Sequence, residues 1–87
     1  MILMHVKMKN SEDILAYVER SKSDNRILII TSPISINLDP DRGFYANHWL
    51  IFSEDNYVSI PSNEVMFINK ASESAIDYYK QFFKKKP

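Results

Sequence analysis

Imidazole chemistry in this chain rests on His5 and His48, and neither stands within a set of ligands spaced to hold a metal ion. Both are read as structural, with His48 on the polar face of a strand beside Trp49. Carboxylates pair at Asp39 and Asp41, which flank Pro40, and at Glu54 and Asp55. Paired acids divide acid and base roles where burial separates their pKa values. These pairs sit in turn sequences, where aspartate accepts backbone hydrogen bonds and stays solvated. Ser32, Ser35 and Ser62 have no base within a nucleophile motif, and one glycine cannot build a phosphate cradle. The expectation is a non-enzyme with no metal, no cofactor and no small-molecule substrate.

Flat rings offer more. Phe44, Tyr45, Trp49 and Phe52 lie near Arg42, Asn47 and His48, and such rings stack single-stranded bases while polar neighbours bond base edges. The same rings can instead fill a core or an interface, which large aromatics dominate. Lys84, Lys85 and Lys86 also have two readings. They complement the negative end of a helix dipole or, repeated around an oligomer, form a rim that attracts phosphate.

The length of 87 residues fits one domain, 1–87, and 45% hydrophobic residues supply its core. Eleven basic and eleven acidic residues cancel, so there is no global field for indiscriminate duplex binding. The absence of cysteine removes disulfides, thiolate nucleophiles and cysteine-ligated zinc; a reducing cytoplasm is the simpler setting. No apolar run reaches the roughly 18 residues of a membrane span. The stretch Met1 to Lys7 lacks a charged lead, so it reads as structure rather than as a signal peptide.

Met4, Val6 and Met8 alternate with His5, Lys7 and Lys9, which predicts a half-buried strand. Asn10-Ser11 followed by Glu12, Asp13, Ile14, Leu15 and Val18 predicts a capped helix, so 1–23 is expected as strand then helix. Arg26 to Thr31 is β-branched on both faces, a strand buried in a sheet. Pro33 interrupts it before Ile34 to Leu38, so the pattern fits one bent or bulged strand or a pair meeting at Ser32-Pro33. Asp39 to Gly43 is a strong turn, Phe44 to Phe52 a strand, and Ser53 to Asn56 a further turn. Ser72 onward predicts a helix over 72–86 with Ala75, Ile76, Tyr79, Phe82 and Phe83 buried.

Between Tyr57–Ile60 and Val65–Ile68 stands only Pro61-Ser62-Asn63-Glu64. Proline ends the first pairing and primes a tight helical turn, and short strands broken this way curl a sheet into a barrel. The stretch "VSIPSNEVMFIN" resembles the second signature of the Sm-like family, the rings of Sm, LSm and Hfq type. Ile60, Val65 and Ile68 take its apolar positions, "ILIITSPISINL" supplies earlier strands and "FYANHWLIFSEDN" the middle hairpin. The chain looks most like the divergent Sm-like proteins of phage, cyanophage type in particular. Pro61-Ser62 stands where the family has an Arg-Gly pair.

That resemblance implies a small, strongly bent, five-stranded antiparallel SH3-type barrel over about 26–69. The extra N-terminal strand and helix over 1–23 and the helix over 72–86 make the expected fold mostly β with flanking helices, and depart from the family's plan of one leading helix. The resemblance implies a homo-oligomeric ring whose free strand edges pair between copies near Val58, Ile60, Val65 and Phe67. It also implies contact with single-stranded RNA, as a binder or chaperone in the cytoplasm of a bacterial host. The family's loops carry over onto Tyr45, Asn47 and His48 and onto Ser62 and Asn63, with Lys84, Lys85 and Lys86 as the cationic rim. The alternative is a ring that serves protein interaction or structure without RNA.

Overall fold

The computed structural model describes residues 2–84, so Lys85 and Lys86 of the lysine tail lie outside the described residues. Six strands precede one helix: β1 (Leu3–Met8), β2 (Asp13–Arg20), β3 (Ile27–Asp39), β4 (Gly43–His48), β5 (Tyr57–Pro61), a 3₁₀ turn (Ser62–Glu64), β6 (Val65–Lys70) and α1 (Glu73–Lys84). Every pairing is antiparallel, in the order β4-β3-β2-β1-β6, with β5 also on β3.

Asp13–Arg20 forms a strand where its pattern predicts a helix. Both faces of β2 are buried: Ile14, Ala16 and Val18 enter one apolar cluster, Leu15 and Tyr17 the other. Polar residues therefore do not alternate with apolar ones, and Ile14, Leu15 and Val18 imitate a helical stripe. Asn10-Ser11 turns a hairpin instead of capping a helix. Met8 N–H donates to Glu12 O at 2.9 Å and Ser11 N–H to Met8 O at 2.9 Å. Ser11 takes a φ of 78°, and Asn10 Oδ1 accepts from Glu12 N–H at 3.0 Å, as turn asparagines do.

The first two strands are thus integral to the strongly bent six-stranded sheet, not additions to a five-stranded core over 26–69. Val6 and Ile14, each 1% exposed, share one cluster with Leu28 and Ile30. Burying each such side chain contributes about 1.5–3 kcal/mol.

β3 runs 13 residues through Pro33 without a break. Leu15 pairs with Ile34 and Tyr17 with Thr31, so Ser32 and Pro33 together oppose Ala16. This is a β-bulge, and Ser32 reaches it with a φ of 51°. Proline is tolerated here because a bulge asks no ladder donor of it. The extra residue reverses side-chain parity. Leu28 and Ile30 face the barrel interior, whereas Ile34 and Ile36 turn to the opposite face beneath α1.

The bend also divides the partner of β3. β4 follows Ile34–Asp39 and β5 follows Ile27–Thr31. The strand expected over Phe44 to Phe52 therefore stops at His48. The chain leaves at Trp49, whose N–H donates to Pro33 O at 3.1 Å, and returns at Asn56, whose carbonyl accepts from Ser32 N–H at 2.6 Å.

Ser72 Oγ accepts from Ala75 N–H at 3.1 Å and caps α1. Tyr79, 5% exposed, anchors the helix to the sheet. Its hydroxyl donates to Ser32 O at 2.8 Å, and its ring meets Tyr17 edge-on at 5.7 Å. Burial, and then the neighbouring Tyr17, push the Tyr79 pKa up to about 12, with the Ser32 bond working the other way.

Pro61, at φ −65°, leads directly into the 3₁₀ turn, as its position in the sequence predicts. Among the described residues β5 pairs only with β3 and β6 only with β1. Each keeps one edge open.

Candidate functional site

The 3₁₀ turn meets the loop that joins β2 to β3. Ser62 N–H donates to Arg26 O at 2.8 Å. That loop is organised by its own side chains. Arg26 gives Asp24 Oδ1 its backbone N–H at 2.9 Å and its Nε at 3.1 Å, and gives Oδ2 its Nη2 at 3.2 Å. These hydrogen bonds hold the exposed Asp24 carboxyl below its usual range. Arg20 Nη1 donates to Asn25 O, which fixes the loop from the end of β2.

A concavity of about 380 Å³ lies between the two segments, lined by Asp24, Arg26, Ile27, Pro61, Ser62 and Asn63. The Arg26 side chain is 84% exposed, so the guanidinium N–H groups that Asp24 does not take remain open to a phosphate or a base edge. Asn63 and Ser62 add an amide and a hydroxyl.

Tyr45 and Asn47 lie elsewhere. They sit on β4 opposite Asn37 and Ser35, near the far end of β3 from Arg26, and both are exposed. Pro61, next to Ser62, pairs with Ile27 at the start of β3, whereas Tyr45 and Asn47 pair with its second half beyond the bulge, so the two groups lie on different segments of the strand. His48 faces the other side of β4. Its ring lies 4.9 Å from Phe82 and 5.4 Å from Phe83, within the packing of α1. The polar-face placement expected for His48 is therefore corrected, because strand alternation puts it with Ala46 under the helix rather than with Asn47.

The aromatic group divides three ways. Trp49 packs on the barrel interior, Phe44 meets Tyr78 at 4.9 Å, and Phe52 is 96% exposed. Along the open edges, Val58, Ile60 and Val65 pack on the interior cluster. Tyr57, Met66 and Phe67 are the large side chains left in solvent there. Lys84 is exposed in the last turn of α1.

A larger groove of about 850 Å³ lies beside the N-terminus of α1. Its lining combines His5, Lys7, Glu12, Asp13 and Lys70 with the apolar Leu15, Ile36, Leu38 and Phe44. His5 Nε2 is 2.8 Å from Asp13 Oδ1, and Lys7 Nζ donates to Asp13 Oδ2 at 3.1 Å. Partial burial works to raise the Asp13 pKa, but the bonds and charges of His5 and Lys7 together hold it below its usual value. Among the described residues no three His, Asp or Glu side chains gather to hold a metal ion.

The model of the Sm-like domain family matches residues 5–80. The chain belongs to the Sm-like family. The match begins in β1 and reaches into α1, so this Sm-like domain includes the two strands that the sequence pattern set apart. With β1 and β2 counted in, the loop facing the final turn is 21–26, and Asp24, Asn25 and Arg26 join Ser62 and Asn63. The polar run Ser21 to Asn25 marks this loop in the sequence. Its nearness to the final turn stayed hidden because it depends on the register of β5 on β3, with Ile27 opposite Pro61. No curated protein matches the chain. Among the described residues no helix of this Sm-like protein is long and apolar enough to cross a membrane.

Proposed function

We propose that this Sm-like protein binds single-stranded RNA where the 21–26 loop meets the 3₁₀ turn, as a homo-oligomeric ring. In this reading β5 of one copy pairs with β6 of the next. The observation that carries it is the hydrogen bond from Ser62 N–H to Arg26 O, which gathers Arg26, Ser62 and Asn63 around one concavity. Those residues offer a planar cation and neutral hydrogen-bonding groups, the mixture that takes a phosphate and an adjoining base edge. The open edges of β5 and β6 favour the ring, since closure between copies satisfies backbone groups that otherwise invite aggregation. The protein acts without catalysis, as an RNA binder or chaperone in the cytoplasm of a bacterial host, in keeping with its likeness to phage-type Sm-like proteins. Tyr45, Asn47, His48 and the Lys84–Lys86 tail are secondary contacts, each presented once per copy around the ring.

A second reading is a ring that serves protein interaction or structure alone. The engagement of Arg26 with Asp24 and the zero net charge favour it. An electrophoretic shift with oligo-U and oligo-A at low and moderate salt, run beside a native mass measurement, separates the two. RNA binding predicts micromolar or tighter affinity that weakens with salt and falls about tenfold or more in Arg26→Ala. A ring of stable mass that shifts neither RNA at any salt rejects the RNA reading in favour of the second.

A further inference from the structure

We infer that the groove beside the N-terminus of α1 receives the 49–56 loop of a neighbouring copy, with Ile51 and Phe52 as the inserted side chains. The inference rests on the ring reading above and adds to it a second contact between copies. Two apolar patches stand open in one chain. Leu38 is 85% and Phe44 54% exposed in the groove wall, while Ile51 is 64% and Phe52 96% exposed on the loop. They cannot cover each other within a chain. The loop lies against Phe83 at the C-terminal end of α1, and the groove lies against Ser72, Ala75 and Tyr78 toward the N-terminal end. The helix between them has 12 residues, a length of about 18 Å.

Complementary patches at separate places on one molecule meet head to tail, the kind of contact that closes rings. The strand edges run the same way. If β5 lies antiparallel along β6 of the next copy, Tyr57 comes to rest near Asn69 and Lys70, both of which border the neighbour's groove. The residues just before Tyr57 are the loop, carried past that border and over the groove mouth. Within the groove His5 and Lys7 are paired with Asp13. That leaves Lys70 at its border as the cation facing Glu54 and Asp55, the acids that follow the apolar tip of the loop. Insertion removes the two patches from water together and brings those acids toward Lys70.

The chain has no cysteine, which makes site-directed crosslinking direct. Full-length Phe52→Cys and Leu38→Cys proteins are mixed and treated with a short bismaleimide. A control mixture carries Ser59→Cys and Phe67→Cys across the paired edges. Native mass is measured on the same samples before treatment. A mixed 52–38 dimer within an intact assembly is the expected result, and Phe52→Ser should weaken assembly at least about tenfold, equivalent to about 1.4 kcal/mol. Phe52 and Leu38 are exposed, so these variants leave the core untouched. A ring that links through the edge pair but not through 52–38 overturns the loop docking and leaves the ring and an unassigned groove. An assembly with neither link overturns the docking and the edge pairing together. Single copies by mass overturn the ring reading and this inference with it.

Discussion

Replacing Tyr79 with phenylalanine removes one oxygen from the point where α1 meets the bulge of β3. The Tyr79 hydroxyl donates to Ser32 O at 2.8 Å, and the residue is 5% exposed. The ring contacts with Tyr17 and Phe83 survive in Tyr79→Phe, so no cavity opens. The loss is the net worth of one hydrogen bond plus the desolvation of a carbonyl left without this donor, together about 1–3 kcal/mol. For a domain of this size that lowers the melting temperature by roughly 5–15 °C, readable by circular dichroism and Trp49 fluorescence. Tyr79→Ala also empties the site and should cost about 3–5 kcal/mol.

Burial of the same hydroxyl has an alkaline signature. The folded Tyr79 holds its proton more tightly than the unfolded one, so its contribution is complete below the ordinary value of 10.0 and is lost as pH climbs toward about 12. Tyr79→Phe has no such proton to lose, and its stability should converge on the wild type across that window. Equal melting temperatures at neutral pH with parallel alkaline slopes would refute the role given to this hydroxyl.

Ile34, fully buried under α1, should cost about 2–5 kcal/mol on replacement by alanine, measured as a shift in urea midpoint with an unchanged slope. Asp13 gives the opposite pH behaviour to Tyr79. Its folded pKa lies below 3.8, so its contribution is present above that value and lost as pH falls through the folded pKa. Asp13→Asn should remove part of the acid limb of the stability curve as pH falls below 3.8, traced by urea midpoints at each pH. Arg26→Ala and the 52–38 crosslink test the binding surface and the assembly as set out above.

Much of the barrel was legible because its breaks are chemical. Pro61 ends β5 and starts the 3₁₀ turn, Asp39 to Gly43 turns β3 into β4, and Ser72 caps α1. The helix expected over Asp13–Arg20 failed for the opposite reason. A strand buried on both faces has no alternation to display, and its stripe of Ile14, Leu15 and Val18 satisfies either period. The bulge was legible only as a choice, since Pro33 allows one bent strand or two, and it is the pairing with β2 that makes one strand of it. Of the candidate site, Ser62 and Asn63 came from the resemblance, which carries the family's final-turn loop onto them. Arg26 did not, because its nearness to Ser62 depends on β5 pairing with the start of β3, Ile27 opposite Pro61. His48 and Trp49 show how one residue of phase decides the outcome. The first packs under the helix and the second on the barrel interior.

The pairing of β1 with β6 joins the first strand of the barrel to the last. While the chain is being made, β1 can zip to β2 but must wait for Val65–Lys70 to leave the ribosome before its second side is covered. Until then a β6 from another nascent chain fits the vacancy equally well. Synthesis on crowded polysomes therefore presents this protein with a choice between completing itself and exchanging its final strand with a sibling.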